Sequence, residues 1–192
     1  MNQENKKYSV TTRRVIFSKG PIHLVDCDVR LPGKNKAGKP EVQKLSRQII
    51  EHPGAVVIIP KTGPDRYLLI RQFRFAARNW LWEWPAGGIE KGEEVRRSAR
   101  RELAEETGFW PRKLKRLFSF YPTPGISSEI MHLFLAHDLV PKQALGDEDE
   151  RIEVREFTLA QIGRMARSGK IRDGKTLLGY YFLKQFQPIG IR

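Results

Sequence analysis

The chain has 192 residues, of which 40% are hydrophobic and only one is a cysteine, and its formal net charge is +13. This length predicts one domain, or one domain with a small appendage, and the apolar content is sufficient for a buried core. A single cysteine, Cys27, excludes an internal disulfide and a cysteine-based zinc cluster. No apolar run approaches the roughly eighteen residues of a membrane span, and the first ten residues are too polar for a signal peptide. We therefore expect a soluble cytoplasmic protein without a membrane partner.

The positive charge has three explanations. Basic surfaces bind nucleic acid by releasing counterions from phosphates, steer anionic substrates towards a site, or simply keep a protein in solution. Lys and Arg are scattered along this sequence and lack interleaved aromatic residues. We therefore favour the second and third explanations and expect no specific nucleic-acid partner.

The first fifty residues predict a small antiparallel sheet. Strand patterns cover Arg13–Ser18, Val25–Leu31 and Lys44–Ile50, and a Gly/Pro-rich turn spans Leu31–Pro40. So small a sheet is not expected to be stable alone. We therefore predict that residues 1–52 form a β subdomain covered by the main domain or by a second subunit, and that the protein is a homodimer.

The main domain is predicted to span residues 53–192. It opens with a continuous apolar run, 55–59, which is typical of a strand buried on both faces. A turn at 61–65 leads to a return strand at 67–71. Arg71 and Arg74 flank the end of that strand, and guanidinium groups suit bidentate contact with phosphate. Three alternate tryptophans follow at 80, 82 and 84, where core packing and an interface are equally good interpretations.

A glycine-containing loop and a helix come next. Gly87, Gly88 and Gly92 break the loop, and the pattern then predicts a helix from about Glu94 to Thr107, with acids in its first turn and Gly108 as its stop. Helical spacing brings Glu102, Glu105 and Glu106 to the edge of the apolar stripe formed by Val95, Ala99 and Leu103.

Such a cluster of carboxylates needs a counter-charge. Two carboxylates about 6 Å apart repel by roughly 3 kcal/mol at an effective dielectric constant near 20. A helix ion pair with Arg101 recovers only about 0.2–0.5 kcal/mol. A hard divalent cation does more, and Mg²⁺ prefers carboxylate oxygens together with water and substrate phosphates. A solvated acidic helix face is the alternative, but the loop, the spacing and the terminal glycine together make it the weaker one.

The rest of the chain completes an α/β pattern. Strands are predicted at 114–121, 129–136 and 152–157, an acidic loop at 145–151, and helices at 159–168 and 175–185.

The loop and helix match the pattern G-x5-E-x7-R-E-U-x-E-E-x-G-U, in which U is aliphatic or aromatic. Every fixed position is met: Gly87, Glu93, Arg101, Glu102, Leu103, Glu105, Glu106, Gly108 and Phe109. The stretch therefore resembles the box of the Nudix hydrolases. The resemblance implies an α/β/α sandwich and hydrolysis of a nucleoside diphosphate linked to a second group.

A second layer of residues resembles the ADP-ribose pyrophosphatases within that family. It comprises the stretches 54–56, 71–74, 83–87 and 152–154, and Pro124 about fifteen residues beyond the box. The resemblance implies cleavage of ADP-ribose to AMP and ribose 5-phosphate by a homodimer, and cleavage of other ADP-sugars as well. It also implies that the N-terminal sheet helps hold the base. With no tryptophan before Trp80, only Tyr8 and Phe17 remain as stacking candidates.

The same resemblance implies roles for individual residues. The Ala86 carbonyl, Glu102, Glu105 and Glu106 would bind Mg²⁺, with Mn²⁺ as a substitute, while Glu93 and Arg101 shape the loop–helix unit. The remaining roles are those of catalytic residues, Glu148, Glu150 and Glu105, and of substrate-binding residues, Arg71, Arg74, Gly87 and Pro124. The catalytic base is expected in the loop at 148–150, for which an ordinary acidic surface loop is the alternative.

Two rival functions remain open. One is a different Nudix specificity, such as GDP-mannose or another nucleoside diphosphate derivative. The other is an RNA-binding or regulatory protein that keeps the fold. An intact acidic box argues against the second rival, because a binding domain has no use for a costly carboxylate cluster.

Overall fold

The computed structural model describes residues 8–142 and 152–186. The chain divides into two units: Met1–Pro53 with Thr123–Glu129, and Gly54–Pro122 with Ile130–Arg192. Within the described ranges, no helix is long and apolar enough to cross a membrane.

The first unit contains a three-stranded antiparallel sheet in the order β1-β2-β3, and its strands extend further than the sequence predicted. They are β1 (Ser9–Lys19), β2 (Ile22–Lys34) and β3 (Pro40–Glu51). Val25 and Cys27 on β2 are buried, as the alternating pattern indicated, whereas every residue of β1 is exposed. The candidate stacking residues Tyr8 and Phe17 are each 60% exposed. This sheet therefore buries little of its own apolar surface.

The second unit contains a seven-stranded mixed sheet and three helices. Its main path runs β10-β5-β4-β9-β8, β6 pairs with β5, and β7 pairs with β4; the β4–β9 pairing is parallel. The elements are β4 (Ala55–Gly63), β5 (Arg66–Arg74), β6 (Asn79–Glu83), β7 (Ala86–Gly88), α1 (Val95–Thr107), β8 (Phe109–Phe120), β9 (Met131–Pro141), β10 (Glu153–Phe157), α2 (Leu159–Arg167) and α3 (Gly174–Phe186).

Strand β4 shows how the layers form. Val57 and Ile59 pack into one apolar cluster together with Ile162 of α2 and Leu183 of α3. The alternate side chains of the same strand, such as Ile58, pack into a second cluster with side chains of α1. Because successive strand residues point to opposite faces, the uninterrupted apolar run buries both faces of the sheet. The predicted α/β/α sandwich with a small N-terminal antiparallel sheet is confirmed.

The alternate tryptophans fall into different environments. Trp82 and Trp84 are buried, and Trp80 is 42% exposed. Trp84 is held from α3: its backbone N–H donates to the Thr176 hydroxyl at 2.9 Å, and its Nε1 donates to the Thr176 carbonyl at 3.0 Å. These bonds fix the chain directly before β7. Gly87 and Gly88 belong to that strand instead of the predicted loop, which is a correction, and of the three predicted loop glycines only Gly92 has a positive φ.

Candidate active site

Helix α1 begins and ends at capping residues. The Glu94 side chain accepts from the Arg96 backbone N–H, so Glu94 is the N-cap and the first turn itself contains no acidic residue, which corrects that expectation. At the other end Gly108 adopts a left-handed conformation (φ 74°), and its N–H donates to the Ala104 carbonyl at 2.9 Å. Ala99 and Leu103 are fully buried on the face towards the sheet.

The acidic side chains of α1 line a cleft of about 320 Å³. The cleft is formed by Arg74, Ala86, Gly87, Gly88, Glu90, Arg101, Glu102, Glu105, Glu106 and Ile152. The structure thus brings together the residues predicted to bind metal, together with Arg74. Ile152, which had no predicted role, also belongs to the lining.

The Glu102 carboxylate lies where a side chain at position 87 would begin. A Cβ atom at position 87 would lie 2.1 Å from the Glu102 carboxyl group, far inside van der Waals contact. Next to it, Glu106 is only 7% exposed, and its Oε2 accepts from the Ala86 N–H at 2.8 Å. Strand β7 therefore lies directly against two of the helix carboxylates, and a side chain at position 87 would require the Glu102 carboxylate to move.

Arg101 holds the loop and helix together. Its Nε and Nη2 donate to the two carboxylate oxygens of Glu93 at 3.1 and 3.0 Å, and Nη2 also donates to the Gly88 carbonyl at 3.0 Å. Its Nη1 donates to Glu102 at 2.7 Å and to Glu105 at 2.9 Å. These contacts fit the predicted structural role of Arg101 and Glu93, and they also give Arg101 a direct link to two cleft acids.

The Glu93 carboxylate is strongly stabilised in its charged form. Hydrogen bonds from Arg101 lower the pKa of Glu93 to about 2, with further contributions from the Ser98 hydroxyl and the Glu90 N–H, although burial acts in the opposite direction. Ser98 Oγ donates to Glu93 at 2.6 Å and is itself buried. Glu93 is therefore ionised at neutral pH.

The donor set of the cleft fits a hard divalent cation. Carboxylate oxygens from Glu102, Glu105 and Glu106 line one cleft, and oxygen donors are those that Mg²⁺ and Mn²⁺ prefer. No three acidic, His or Cys side chains within 8–142 and 152–186 converge as a ready-made metal cluster. The reason is visible in the contacts: Glu102 and Glu105 are both turned to Arg101 Nη1.

Arg74 is anchored by an acidic residue without a predicted role of its own. Its Nε and Nη2 donate to Glu83 Oε1 and Oε2 at 2.8 and 2.7 Å, and Glu83 is 1% exposed. Lys175 of α3 makes a second ion pair with Glu83 and also contacts Asp173. Burial raises the pKa of Glu83, but the hydrogen bonds and charges of Arg74 and Lys175 outweigh it and hold that pKa below its usual value.

Arg71 lies apart from Arg74. Both residues are within β5, where side chains three positions apart point to opposite faces. The Arg71 guanidinium lies over the Trp80 ring, 5.4 Å from its centroid, and is 3.4 Å from Glu153. Arg71 is not among the residues that line the cleft, so the structure does not bring the two arginines together.

Three predicted site residues are not among the described residues that line the cleft. Pro124 belongs to the first unit. Glu148 and Glu150 lie outside the described residues. Sequence reasoning gave no role to Glu83 or Lys175, because a contact across 92 positions leaves no local pattern; the only signal was an acid between two tryptophans in an apolar stretch.

The chain is similar to known proteins over most of its length. Residues 51–178 match the model of the NUDIX domain family. An ADP-ribose pyrophosphatase of Bacillus subtilis (strain 168) is 39% identical over 88% of each chain. A methanol dehydrogenase activator of Bacillus methanolicus is 37% identical over 88% of each chain. A GDP-mannose pyrophosphatase of Salmonella paratyphi B is 32% identical over 75% of this chain and 80% of its own.

A solved structure supports the fold. The crystal structure of an ADP compounds hydrolase superposes with a TM-score of 0.75 at 23% identity and covers 96% of both chains.

Proposed function

The chain belongs to the NUDIX family, and from that premise we propose that it is a hydrolase that cleaves ADP-ribose to AMP and ribose 5-phosphate. The reaction adds one water across the phosphoanhydride: one P–O bond of the bridge breaks, a new P–O bond forms to the water oxygen, and a proton is released. The ADP-ribose pyrophosphatase of B. subtilis, 39% identical to this chain, supports the substrate.

The observation that carries the proposal is the cleft in which helix carboxylates face an anchored arginine. Glu102, Glu105 and Glu106 supply negative charge along one side, and Arg74 supplies positive charge within the same lining. A diphosphate substrate would use both kinds of group. The carboxylates would hold a divalent cation that attracts the phosphate oxygens, and the guanidinium would contact those oxygens directly.

Members of this family use divalent metal ions, and we propose Mg²⁺, with Mn²⁺ as a substitute. Its ligands are Glu102, Glu105, Glu106 and the carbonyl of Ala86. A divalent cation bound there supplies positive charge for the diphosphate oxygens. Glu106 accepts from the Ala86 N–H at 2.8 Å, and Glu102 and Glu105 accept from Arg101; these three carboxylates would hold the cation.

Other residues contribute to substrate binding and proton transfer. We propose that Arg74 binds the diphosphate and that the Gly87 backbone lets the substrate approach the helix closely. Arg71 and Pro124 remain predicted contacts. A general base from Glu148 or Glu150 accepts the proton of the attacking water; replacement of either by Gln should lower kcat while KM stays nearly constant. If both variants keep the kcat of the unmodified enzyme, the base lies elsewhere, with Glu105 as the next candidate.

We further propose a cytoplasmic homodimer in which residues 1–52 contribute to dimerisation and to the base side of the substrate, and residues 53–192 form the hydrolase domain. Exposed apolar side chains on the first sheet support this, among them Val15, Ile16 and Phe17 on β1. Light scattering tests it: a monomer at micromolar concentration with full activity would contradict the proposal. No specific nucleic acid is expected, so binding to RNA or DNA should be weak and should disappear at physiological salt.

A GDP-mannose specificity is the second candidate, favoured by the relative that is 32% identical over 75% of this chain. The test compares kcat/KM for ADP-ribose, ADP-glucose, GDP-mannose and ATP with Mg²⁺, with Mn²⁺ and with a chelator. ADP-ribose should rank first, and activity should be absent in the chelator. A tenfold preference for GDP-mannose or ATP, equivalent to about 1.4 kcal/mol in transition-state stabilisation, would refute the substrate and leave only the family.

A further inference from the structure

We propose that Glu83 is the positioning residue for Arg74. Glu83, which is not in the cleft lining, accepts two hydrogen bonds from one edge of the guanidinium, so that the opposite edge is presented to the diphosphate. The inference deepens the proposed function and rests on it, because it assumes that Arg74 binds the substrate phosphates.

The geometry of the contact fixes the guanidinium plane. Nε donates to Glu83 Oε1 at 2.8 Å and Nη2 donates to Oε2 at 2.7 Å, which is the parallel two-bond arrangement that carboxylates make with arginine. No other hydrogen bond joins Arg74 to a described residue, so the Nη1 edge retains its donors. Arg74 itself is part of the cleft lining. The group is therefore held on one side and available on the other.

Burial makes Glu83 an effective anchor. Its side chain is 1% exposed, so water does not compete for its oxygens, and its position on β6 opposite Ile70 of β5 fixes the backbone from which it projects. A flexible arginine loses rotamer entropy when it binds a ligand. An arginine already fixed by a buried carboxylate loses less, so its remaining donors bind a diphosphate more tightly.

Glu83 also keeps Arg74 away from the acidic side of the cleft. The pKa of Arg74 is raised, mainly by its hydrogen bonds with Glu83, and the charge of Glu106 contributes to the same shift. Without its anchor, Arg74 would be drawn towards Glu106, which is proposed to bind the cation. The anchor therefore prevents the two functional groups from neutralising each other.

Lys175 connects this anchor to α3. Its side chain is 9% exposed and bridges Glu83 and Asp173, and Asp173 in turn accepts from the N–H and the hydroxyl of Thr176 at 2.9 and 2.6 Å. Thr176 also bonds Trp84, the residue after Glu83. Glu83 is thus fixed by both its own strand and the start of α3.

The test is a double-mutant cycle with Glu83→Gln, Arg74→Met and the combined variant. We expect Arg74→Met to raise KM for ADP-ribose by about 100-fold and Glu83→Gln to raise it by about tenfold, with kcat changed less than about threefold. The combined variant should match Arg74→Met within about threefold, whereas independent effects would multiply to about 1,000-fold. A merely structural role would lower the active fraction and therefore kcat, without this rise in KM.

Two further variants protect the test. If Glu83→Gln alone fails to fold, Glu83→Gln with Lys175→Met replaces it. This double variant removes one negative and one positive charge, so the net charge of the buried group is unchanged. Glu156→Gln is the matched control: this β10 acid pairs with Arg66 at 3.9 Å and is not in the cleft lining, so its KM should not change.

Affinity for ADP, measured by calorimetry, separates failure of the inference from failure of the proposed function. ADP carries the diphosphate but no second sugar, so Glu83→Gln should weaken it about tenfold even if ADP-ribose is not the substrate. Three results would each overturn the inference. Glu83→Gln could leave both the ADP affinity and the KM unchanged, the effects on KM of the two single variants could multiply in the combined variant, or Arg74→Met could leave ADP binding unchanged.

Discussion

Two arginines line the same cleft, and each donates two hydrogen bonds to a glutamate, which is buried for Arg74 and half-buried for Arg101. Arg101 donates through Nε and Nη2 to Glu93, and Arg74 donates through Nε and Nη2 to Glu83. What distinguishes them is the third nitrogen. Nη1 of Arg101 binds Glu102 and Glu105, whereas Nη1 of Arg74 makes no hydrogen bond to any residue in the described parts of the chain.

This difference assigns different roles to chemically identical groups. Arg101 has its donors satisfied by its own loop and helix, so it organises the acidic side of the cleft and offers little to a ligand. Arg74 is held by one edge only and offers the other to a ligand. A sequence motif that marks one arginine as important does not reveal which edge is free, because that depends on partners distant in the sequence.

The largest expected loss of activity comes from replacing Glu106, a proposed ligand of the divalent cation on the acidic side of the cleft. Glu106→Gln keeps the shape and can still accept the Ala86 N–H, but it removes the charge that attracts a divalent cation. We expect kcat/KM for ADP-ribose to fall by about 1,000-fold or more, measured at low Mg²⁺. Normal turnover of this variant would refute the cation assignment.

Gly87 tests how closely the loop must approach the acidic side. In Gly87→Ala the new Cβ would lie 2.1 Å from the Glu102 carboxyl group and displace this proposed cation ligand, so we expect kcat/KM to fall by about 100-fold. Gly88→Ala is the matched control, since its Cβ would meet no atom within 4 Å. Equal losses in the two variants would mean that the close approach is not the reason for the glycine.

The grip on Arg101 should contribute chiefly to stability. In Glu93→Gln the free energy of unfolding at pH 7 should fall by about 1–3 kcal/mol, because a buried charged hydrogen-bond partner is lost. The pKa of Glu93 is about 2 in the folded protein against an ordinary 4.5, so its contribution is complete above about pH 4.5 and is lost as the pH falls towards 2. Urea unfolding across this pH range checks the sign. The difference in free energy of unfolding between the unmodified protein and Glu93→Gln should shrink as the pH falls, and a constant difference would contradict the assignment.

The acidic side of the cleft could be predicted from the sequence because it is local. Helical periodicity brings Glu102, Glu105 and Glu106 together, and Gly108 ends the helix as expected. The split between Arg71 and Arg74 was not predicted, because the sequence pattern ended this strand at Arg71. Strand β5 in fact reaches Arg74, and residues three apart in a strand face opposite ways.

On the basic side Arg74 was predicted, but its anchor could not be, because that anchor depends on long-range contacts. Glu83 meets Lys175 across 92 positions, and Trp84 bonds Thr176 across the same interval. No periodicity or capping pattern encodes such pairs. The exposure of Trp80 beside the buried Trp82 was equally hidden, as it depends on which elements cover the hairpin.

One pair of binding measurements tests most directly whether Glu106 binds the cation and Arg74 binds the diphosphate. Mn²⁺ affinity, read from the free ion by electron paramagnetic resonance, and ADP affinity without metal, read by calorimetry, are compared in Glu106→Gln and Arg74→Met. Glu106→Gln should weaken Mn²⁺ binding by at least about tenfold and leave ADP binding unreduced. Arg74→Met should weaken ADP binding by at least about tenfold and leave Mn²⁺ binding unreduced. If Glu106→Gln binds Mn²⁺ like the unmodified protein, or Arg74→Met loses Mn²⁺ and keeps ADP, the proposed roles of the two sides are wrong.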